Sequence, residues 1–219
     1  MGLVVKSFVI TILENARSVD YAKRCMKSGV THGGMSIKHF WAITPESQPF
    51  TLAESYGIPL KNFHEVYSRY DRVVSAFMSH FLLWKKCVEL KENICIFEHD
   101  AVIINNINPQ LAFDRVINLG APSYGKFNTP KTLGAGPLIS KRYFPGAHAY
   151  MLSPRGAQAL IDKAKTHAAP TDVFLNLDNF PFLQEHYPWL AKADDNFSTI
   201  QNKNGCVAKH NWGETYELI

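Results

Sequence analysis

The chain has 219 residues, 46% of them hydrophobic and 19% charged, with a formal net charge of +4. That length and balance suit one globular domain with a sizeable core, and no run approaches the ~20 apolar residues of a membrane span. The charge is mild, and no Lys/Arg cluster or RNA-binding motif accompanies it, which argues against a nucleic-acid partner.

Residues 3–13 lack the basic start and small-residue cleavage site of a signal peptide, and Lys6 and Ser7 interrupt the apolar run. The stretch reads instead as a first core strand, continuous over 8–13 as in a strand buried on both faces. Gly2 fails as a myristoylation site because Lys6 stands where Ser or Thr is needed. A polar helix follows over 15–28, closed by Gly29, then a second strand over 35–43 and a Pro-containing loop over 44–60 with at most one helical turn. Residues 71–90 give the clearest helix: Val73, Phe77, Phe81, Trp84 and Val88 recur at spacings of three and four, and Asp71 caps the start.

The most informative stretch comes next. Ile94, Cys95, Ile96 and Phe97 run into Glu98-His99-Asp100, and Ala101-Val102-Ile103 follow. A buried strand that stops at two carboxylates places charge where it must face a cleft, a cation or a basic partner, because an unpaired buried carboxylate is very costly. In open α/β sheets ligands bind outside the carboxyl ends of the strands. Glu98 and Asp100 therefore read as oxygen ligands for a hard divalent metal, Mn²⁺ or Mg²⁺, that would hold a phosphate-bearing substrate. A strand end paired with a neighbouring Lys or Arg is the plain alternative.

A short strand is expected at 116–119, then a long connection over 120–145, rich in Gly, Pro and Lys, without period. Such a connection is usually functional or mobile. Its cations, Lys126, Lys131, Lys141 and Arg142, read as solvated, although one could reach a diphosphate. Strand character returns at 147–152; Ser153-Pro154 then starts a helix over 154–165 that buries Ala157, Leu160 and Ile161. A helical piece over 170–177, edge strands at 189–190 and 198–200, and a polar tail over 207–219 complete the chain. Cys25, Cys87, Cys95 and Cys206 show no C-x-x-C spacing, so free thiols in a reducing, cytoplasmic compartment are expected. Strands alternating with helices imply an α/β layer fold in a single domain, 1–219.

Three further groups surround the acidic triplet. Met78-Ser79-His80 lies in the long helix ahead of Trp84-Lys85-Lys86; Gly146-Ala147-His148-Ala149-Tyr150 leads into the helix that holds Arg155-Gly156-Ala157; Pro170-Thr171-Asp172 opens the last helical piece. Taken singly, His80 reads as a satisfied core histidine and Asp172 as a helix N-cap. Together, in this order, they resemble glycosyltransferase family 25, which includes lipooligosaccharide (lipopolysaccharide biosynthesis) and collagen galactosyltransferases. The resemblance is good over residues 70–180 and loose at the first strand. Two departures stand out: His99 replaces the middle acid of the triplet, and residues 11–17 replace an Asn-Leu-Asp-Arg-like turn.

The resemblance implies a GT-A type, Rossmann-like α/β domain with a mostly parallel sheet, in which residues 1–145 bind the donor and 146–219 form the acceptor side and tail. It implies a metal-dependent, inverting transfer of a galactose-like hexose from a nucleotide-sugar, most simply a UDP-sugar, to a glycan or other hydroxyl acceptor. Asp100 is then the first metal ligand, Glu98 a second ligand or a partner of the donor ribose, and Thr11 and Arg17 contact the nucleotide. His148 and Tyr150, two apart on a strand, line the sugar or acceptor pocket. Asp172 is the general base. Peripheral membrane association is left open. The alternatives are a metal-dependent hydrolase using Glu98, His99, Asp100 and His148, and a non-catalytic sugar- or nucleotide-binding relic.

Overall fold

The computed structural model describes residues 5–64, 68–194, 197–201 and 217–218. β1 (Lys6–Thr11) leads through α1 (Ala16–Gly33) to β2 (Ile37–Trp41). A 3₁₀ turn at Pro45–Ser47, α2 (Pro49–Ser55) and a second 3₁₀ turn at Lys61–Phe63 connect to α3 (Tyr70–Leu90), which feeds β3 (Ile94–Glu98) and β4 (Ala101–Ile103). Then come β5 (Val116–Asn118), β6 (Gly134–Pro137), β7 (Ala149–Leu152), α4 (Pro154–His167) and α5 (Thr171–Phe174). The last strands are β8 (Gln184–Tyr187), β9 (Ala191–Ala193), β10 (Phe197–Ser198) and β11 (Glu217–Leu218).

Seven strands form one sheet in the order β2-β1-β3-β7-β5-β8-β6, while β4–β9 and β10–β11 make separate pairs. β1 runs parallel to both β2 and β3, so these three strands send their carboxyl ends to one edge. β7 is antiparallel to β3 and β5, β5 is parallel to β8, and β6 is antiparallel to β8. The architecture is thus a mixed α/β sheet covered on both faces.

The continuous apolar runs follow from that double cover. Phe8 and Ile10 of β1, Ile94 and Ile96 of β3, and Tyr150 and Leu152 of β7 point into the larger core under α3 and α4. Their neighbours Val9, Cys95, Phe97, Ala149 and Met151 point to the opposite core under α1, as the two-residue period of a strand requires. The Cys25, Cys87 and Cys95 thiols are buried and act as small core hydrophobes, with burial pushing each up to about 12. Cys206, and the tail apart from β11, lie outside the described residues.

Several boundaries differ from the sequence reading for local reasons. α1 does not stop at Gly29 but runs on to a left-handed cap at Gly34, φ 58°. Gly29 is there for close approach instead: a Cβ on it would lie 2.5 Å from Ile37 Cδ1 of β2. The loop over 44–60 contains α2, which starts at Pro49. Asp71 sits inside the first turn of α3, after Arg69 at the cap position. The period-free connection holds β6, whose Gly-Ala-Gly-Pro sequence carries no strand signal and which is defined only by its pairing with β8. Glu185 of β8 secures the end of that connection, its Oε1 accepting the Ile139 and Ser140 amides at 2.7 Å each. The expected edge strands shift to β9 and β10.

Candidate active site

A cleft of about 380 Å³ opens at the carboxyl edge of the parallel strands. Ile10 and Ile12 from β1 and its exit, Ala42 to Glu46 after β2, Ser75, Ala76, Ser79 and His80 of α3, and Glu98 and His99 at the end of β3 line it. This is where parallel α/β topology places ligands. Arg72 also lines the cleft, and its Nη1 donates to Thr199 O at 3.1 Å, tying α3 to the segment that covers the opening. Ser79 fixes the opposite wall: its hydroxyl donates to Ser75 O and accepts the Ile43 amide, both at 2.9 Å.

Glu98, whose side chain is 30% exposed, stands at the head of a buried hydrogen-bond relay. Trp84 Nε1 lies 2.8 Å from Tyr150 Oη, Tyr150 Oη lies 2.9 Å from His80 Nδ1, and His80 Nε2 lies 3.1 Å from Glu98 Oε1. The proton positions follow from the donor inventory. Trp84 can only donate, so Tyr150 accepts from it and spends its own proton on His80 Nδ1. Burial pushes His80 down to about 3, so the ring is neutral and its single proton sits on Nε2, donated to the Glu98 carboxylate. Burial pushes the Tyr150 phenol up, which keeps that donor protonated. The relay orients Glu98 at the cleft.

Asp172 lies in the first turn of the short α5. Tyr124 Oη donates to its Oδ2 at 2.6 Å and the Val173 amide to its Oδ1 at 2.9 Å. Burial raises the Asp172 carboxyl above its ordinary range, and these two hydrogen bonds oppose the rise without cancelling it. Asp172 and His80 act electrostatically on each other, and neither Asp172 nor Tyr124 is among the residues lining the cleft. A raised carboxyl held by directional donors is suited to taking a proton. Tyr124→Phe removes a donor that favours the ionised form. The acid limb of the pH–rate profile is therefore expected to move to higher pH, and an unmoved limb would show that Tyr124 does not tune Asp172.

The other sequence-predicted residues fall in different places. Asp100 occupies the turn after β3; its backbone oxygen accepts from Asp194 N at 3.0 Å and from Arg24 Nη2 at 3.5 Å, and it is not among the cleft-lining residues. Thr11 is 0% exposed and turned away: Ile10 and Ile12 take the cleft side of the strand, so Thr11 faces His39, whose Nδ1 lies 2.9 Å from its Oγ1. Arg17 is exposed on the first turn of α1, its guanidinium 6.0 Å from the centre of the Phe197 ring, and does not line the cleft. Tyr150 is buried and its hydroxyl is committed to the relay, while His148 is 2% exposed with its ring packed on Gly120, where a Cβ would lie 2.3 Å from Nε2. Neither is among the residues lining this cleft.

His99 stacks on Phe197 with ring centroids 5.5 Å apart and planes 4° from parallel. Burial and the Arg24 charge push it down to about 4, so the replacement of an acid by this histidine puts a neutral aromatic wall beside Glu98. Among the described residues no three His, Cys, Asp or Glu side chains converge on a metal position, so Glu98, His99, Asp100 and His148 do not form the mixed site of the hydrolase alternative.

Residues 5–132 match the family model described as Glycosyltransferase family 25 (LPS biosynthesis protein), which is more than half of the chain. The chain belongs to glycosyltransferase family 25. The family match contains the whole cleft wall from β1 to His99 and ends before His148, Tyr150 and Asp172, whose places rest on the geometry above. No curated protein sequence matches the chain. Among solved structures it is similar to the apo form of the glycosyltransferase GlyE of Streptococcus pneumoniae, at 12% identity and TM-score 0.39, over 88% of this chain and 46% of that one. It is also similar to the apo form of mouse xyloside xylosyltransferase 1, at 14% identity and TM-score 0.42, over 89% of this chain and 87% of that one. The chain thus spans less than half the length of the GlyE chain it matches.

Sequence reasoning missed Tyr124, Arg72 and the Arg24–Asp194 ion pair, 2.9 Å long, beside the Asp100 turn. Tyr124 meets Asp172 across 48 positions from a connection without period, so no spacing could reveal it. Trp84 carried a usable signal: a buried indole N–H needs a partner, and the chain offers few.

Proposed function

We propose that this chain moves a hexose of galactose type from a nucleotide-sugar, a UDP-sugar, to a hydroxyl of a glycan or other acceptor, with inversion at the anomeric carbon. The observation that carries the reading is the cleft at the carboxyl ends of β1, β2 and β3, with the relay-held Glu98 in its wall. The nucleotide occupies the cleft along Ile10, Ile12 and the Ala42–Glu46 turn, and Glu98 holds the donor end. Asp172 takes the proton from the acceptor hydroxyl as that oxygen attacks the anomeric carbon and the bond to the diphosphate breaks. The shared proton ends on Asp172 and the electron pair leaves with the nucleotide diphosphate.

The chemistry of the donor set fits a hard divalent ion that the substrate completes, since such ions commonly take one or two protein carboxylates plus phosphate and water. Glu98 and Asp100, flanking the β3 turn, are the residues that would hold Mn²⁺ or Mg²⁺. When bound, the ion would neutralise charge on the departing diphosphate. No helix among the described residues is long and apolar enough to cross a membrane, and the buried thiols suit the cytoplasmic location that belongs to this proposal.

Calorimetry of UDP binding tests the anchoring. Mn²⁺ is expected to tighten UDP binding relative to chelator, and identical affinities would remove the metal from the proposal. A panel of nucleotide-sugars tests the donor: a ligand that binds only the folded state raises stability by RT ln(1 + [L]/Kd). Stabilisation by none of them would overturn the transferase reading.

A further inference from the structure

We infer that Lys141, seated against Tyr124 and Tyr143 beside Asp172, binds an anionic group, phosphate or carboxylate, carried by the sugar acceptor; this rests on Asp172 marking the acceptor side of the proposed transferase site.

The segment 120–145 contains Lys126, Lys131, Lys141 and Arg142 and no Asp or Glu. With those four set aside, the remaining 19 Lys and Arg balance the 19 Asp and Glu, so the whole formal charge of +4 is carried by this one connection. Arg142 is neutralised by an ion pair with Asp178. Lys126, Lys131 and Lys141 make no ion pair among the described residues.

Lys141 is the cation with a built seat. Its Nζ donates to Tyr143 Oη at 3.1 Å and lies 4.9 Å from the Tyr124 ring centre and 5.0 Å from that of Tyr143. The backbone opposite has been cleared for it: Gly125 has φ 68°, and a Cβ there would stand 2.8 Å from the ammonium nitrogen. Two aromatic faces hold the charge without cancelling it, and two of its three donors remain for an oxygen from outside.

Its position decides which substrate it serves. None of the four cations lines the cleft assigned to the nucleotide. Tyr124, on which Lys141 rests, is hydrogen-bonded to Asp172, the group that meets the acceptor hydroxyl. An anionic acceptor approaching a carboxylate base suffers like-charge repulsion, and a fixed cation one side chain away offsets it. Lys126 and Lys131, both exposed, extend the same field outward and would steer such an acceptor inward.

The test measures binding alone, so it does not depend on turnover. Glucose 6-phosphate, glucuronate and glucose are titrated into the full chain at low salt with EDTA, followed by NMR, for the native sequence, Lys141→Gln and Lys141→Arg. The native chain is expected to bind one or both anionic sugars and not glucose, with salt weakening the interaction. Lys141→Gln is expected to weaken it roughly tenfold, as loss of a charge-assisted contact does, and Lys141→Arg to retain it. Preference for the phosphate supports a phosphorylated acceptor; preference for the carboxylate supports an acidic sugar. Equal binding of glucose, no binding of either anion, or unchanged anion affinity in Lys141→Gln overturns the inference. So does a fall in UDP affinity with Mn²⁺ in Lys141→Gln, which would assign the cation to the donor. Absence of nucleotide-sugar binding by the native chain would be seen separately and would count against the transferase reading instead.

Discussion

Asp172→Asn lowers the rate of sugar transfer by roughly 10²–10⁴-fold, the usual contribution of a positioned general base, while nucleotide binding is retained. The amide oxygen can keep the Val173 amide, and its NH2 can donate to Tyr124 Oη, which then accepts instead of donating, so the local geometry has little reason to change. What it loses is the ability to accept a proton. Full activity in the variant would remove Asp172 from the base role. Loss of UDP binding along with turnover would place it on the donor instead.

The same substitution has a stability signature whose sign follows from burial. The Asp172 carboxyl is raised in the folded chain above its value of 3.8 in the unfolded one. The folded state therefore holds this proton more tightly. The stability that goes with it is fully present below the unfolded value and is lost as pH rises through the folded one. At neutral pH the desolvated carboxylate is a liability, and Asn removes it. The Tm of the variant relative to the native chain is thus expected to rise between pH 4 and pH 7, where a residue chosen only for packing would show no such trend. A flat difference across that range would mean that the carboxylate is better solvated than its surroundings suggest. Loss of activity together with gain in neutral-pH stability is the combination expected of a group retained for chemistry.

The sequence made the sheet and the acidic strand end legible because both rest on local signals. The apolar runs of β1 and β3 are continuous because two helical layers cover the sheet, and Glu98 interrupts the second run where the layers end. Period two also tells which side of β1 meets the cleft, and applied to Ile10, Thr11 and Ile12 it already turns Thr11 away. Parity alone does not say what covers a face: Tyr150 of β7 packs into the core under α3 and α4, while the His148 ring, just before β7, packs on Gly120. Pairings of high sequence separation leave no local trace. Gly134 to Pro137 is a strand only because β8 returns beside it, and Tyr124 joins the site only because the same connection folds back over α5. Gly29 carried a genuine signal with two meanings, a helix stop or a close approach, and only the position of Ile37 separates them.

Tyr150→Phe is expected to be strongly destabilising for the loss of a single atom. The hydroxyl is the hinge of the relay, accepting from Trp84 Nε1 and donating to His80 Nδ1. Phe fills the same volume, so no cavity opens and the packing against Phe144 and His80 persists. Two buried polar atoms are left without partners, in side chains that are 0% and 1% exposed, and each such atom costs about 1–3 kcal/mol. A total of about 2–6 kcal/mol corresponds to a fall in Tm of roughly 5–20 °C for a chain of this size. The second consequence is on Glu98. Without the Tyr150 proton to fix Nδ1 as acceptor, His80 is free to place its proton on Nδ1, and Nε2 then turns a lone pair toward the carboxylate instead of a hydrogen. Donor affinity is expected to fall with the stability, seen as a rise in KM for the nucleotide-sugar larger than the change in kcat. Were the Tm to drop while KM stayed constant, the relay would be a packing device alone; were neither to move, the hydrogen bonds would not be the reason these three side chains meet.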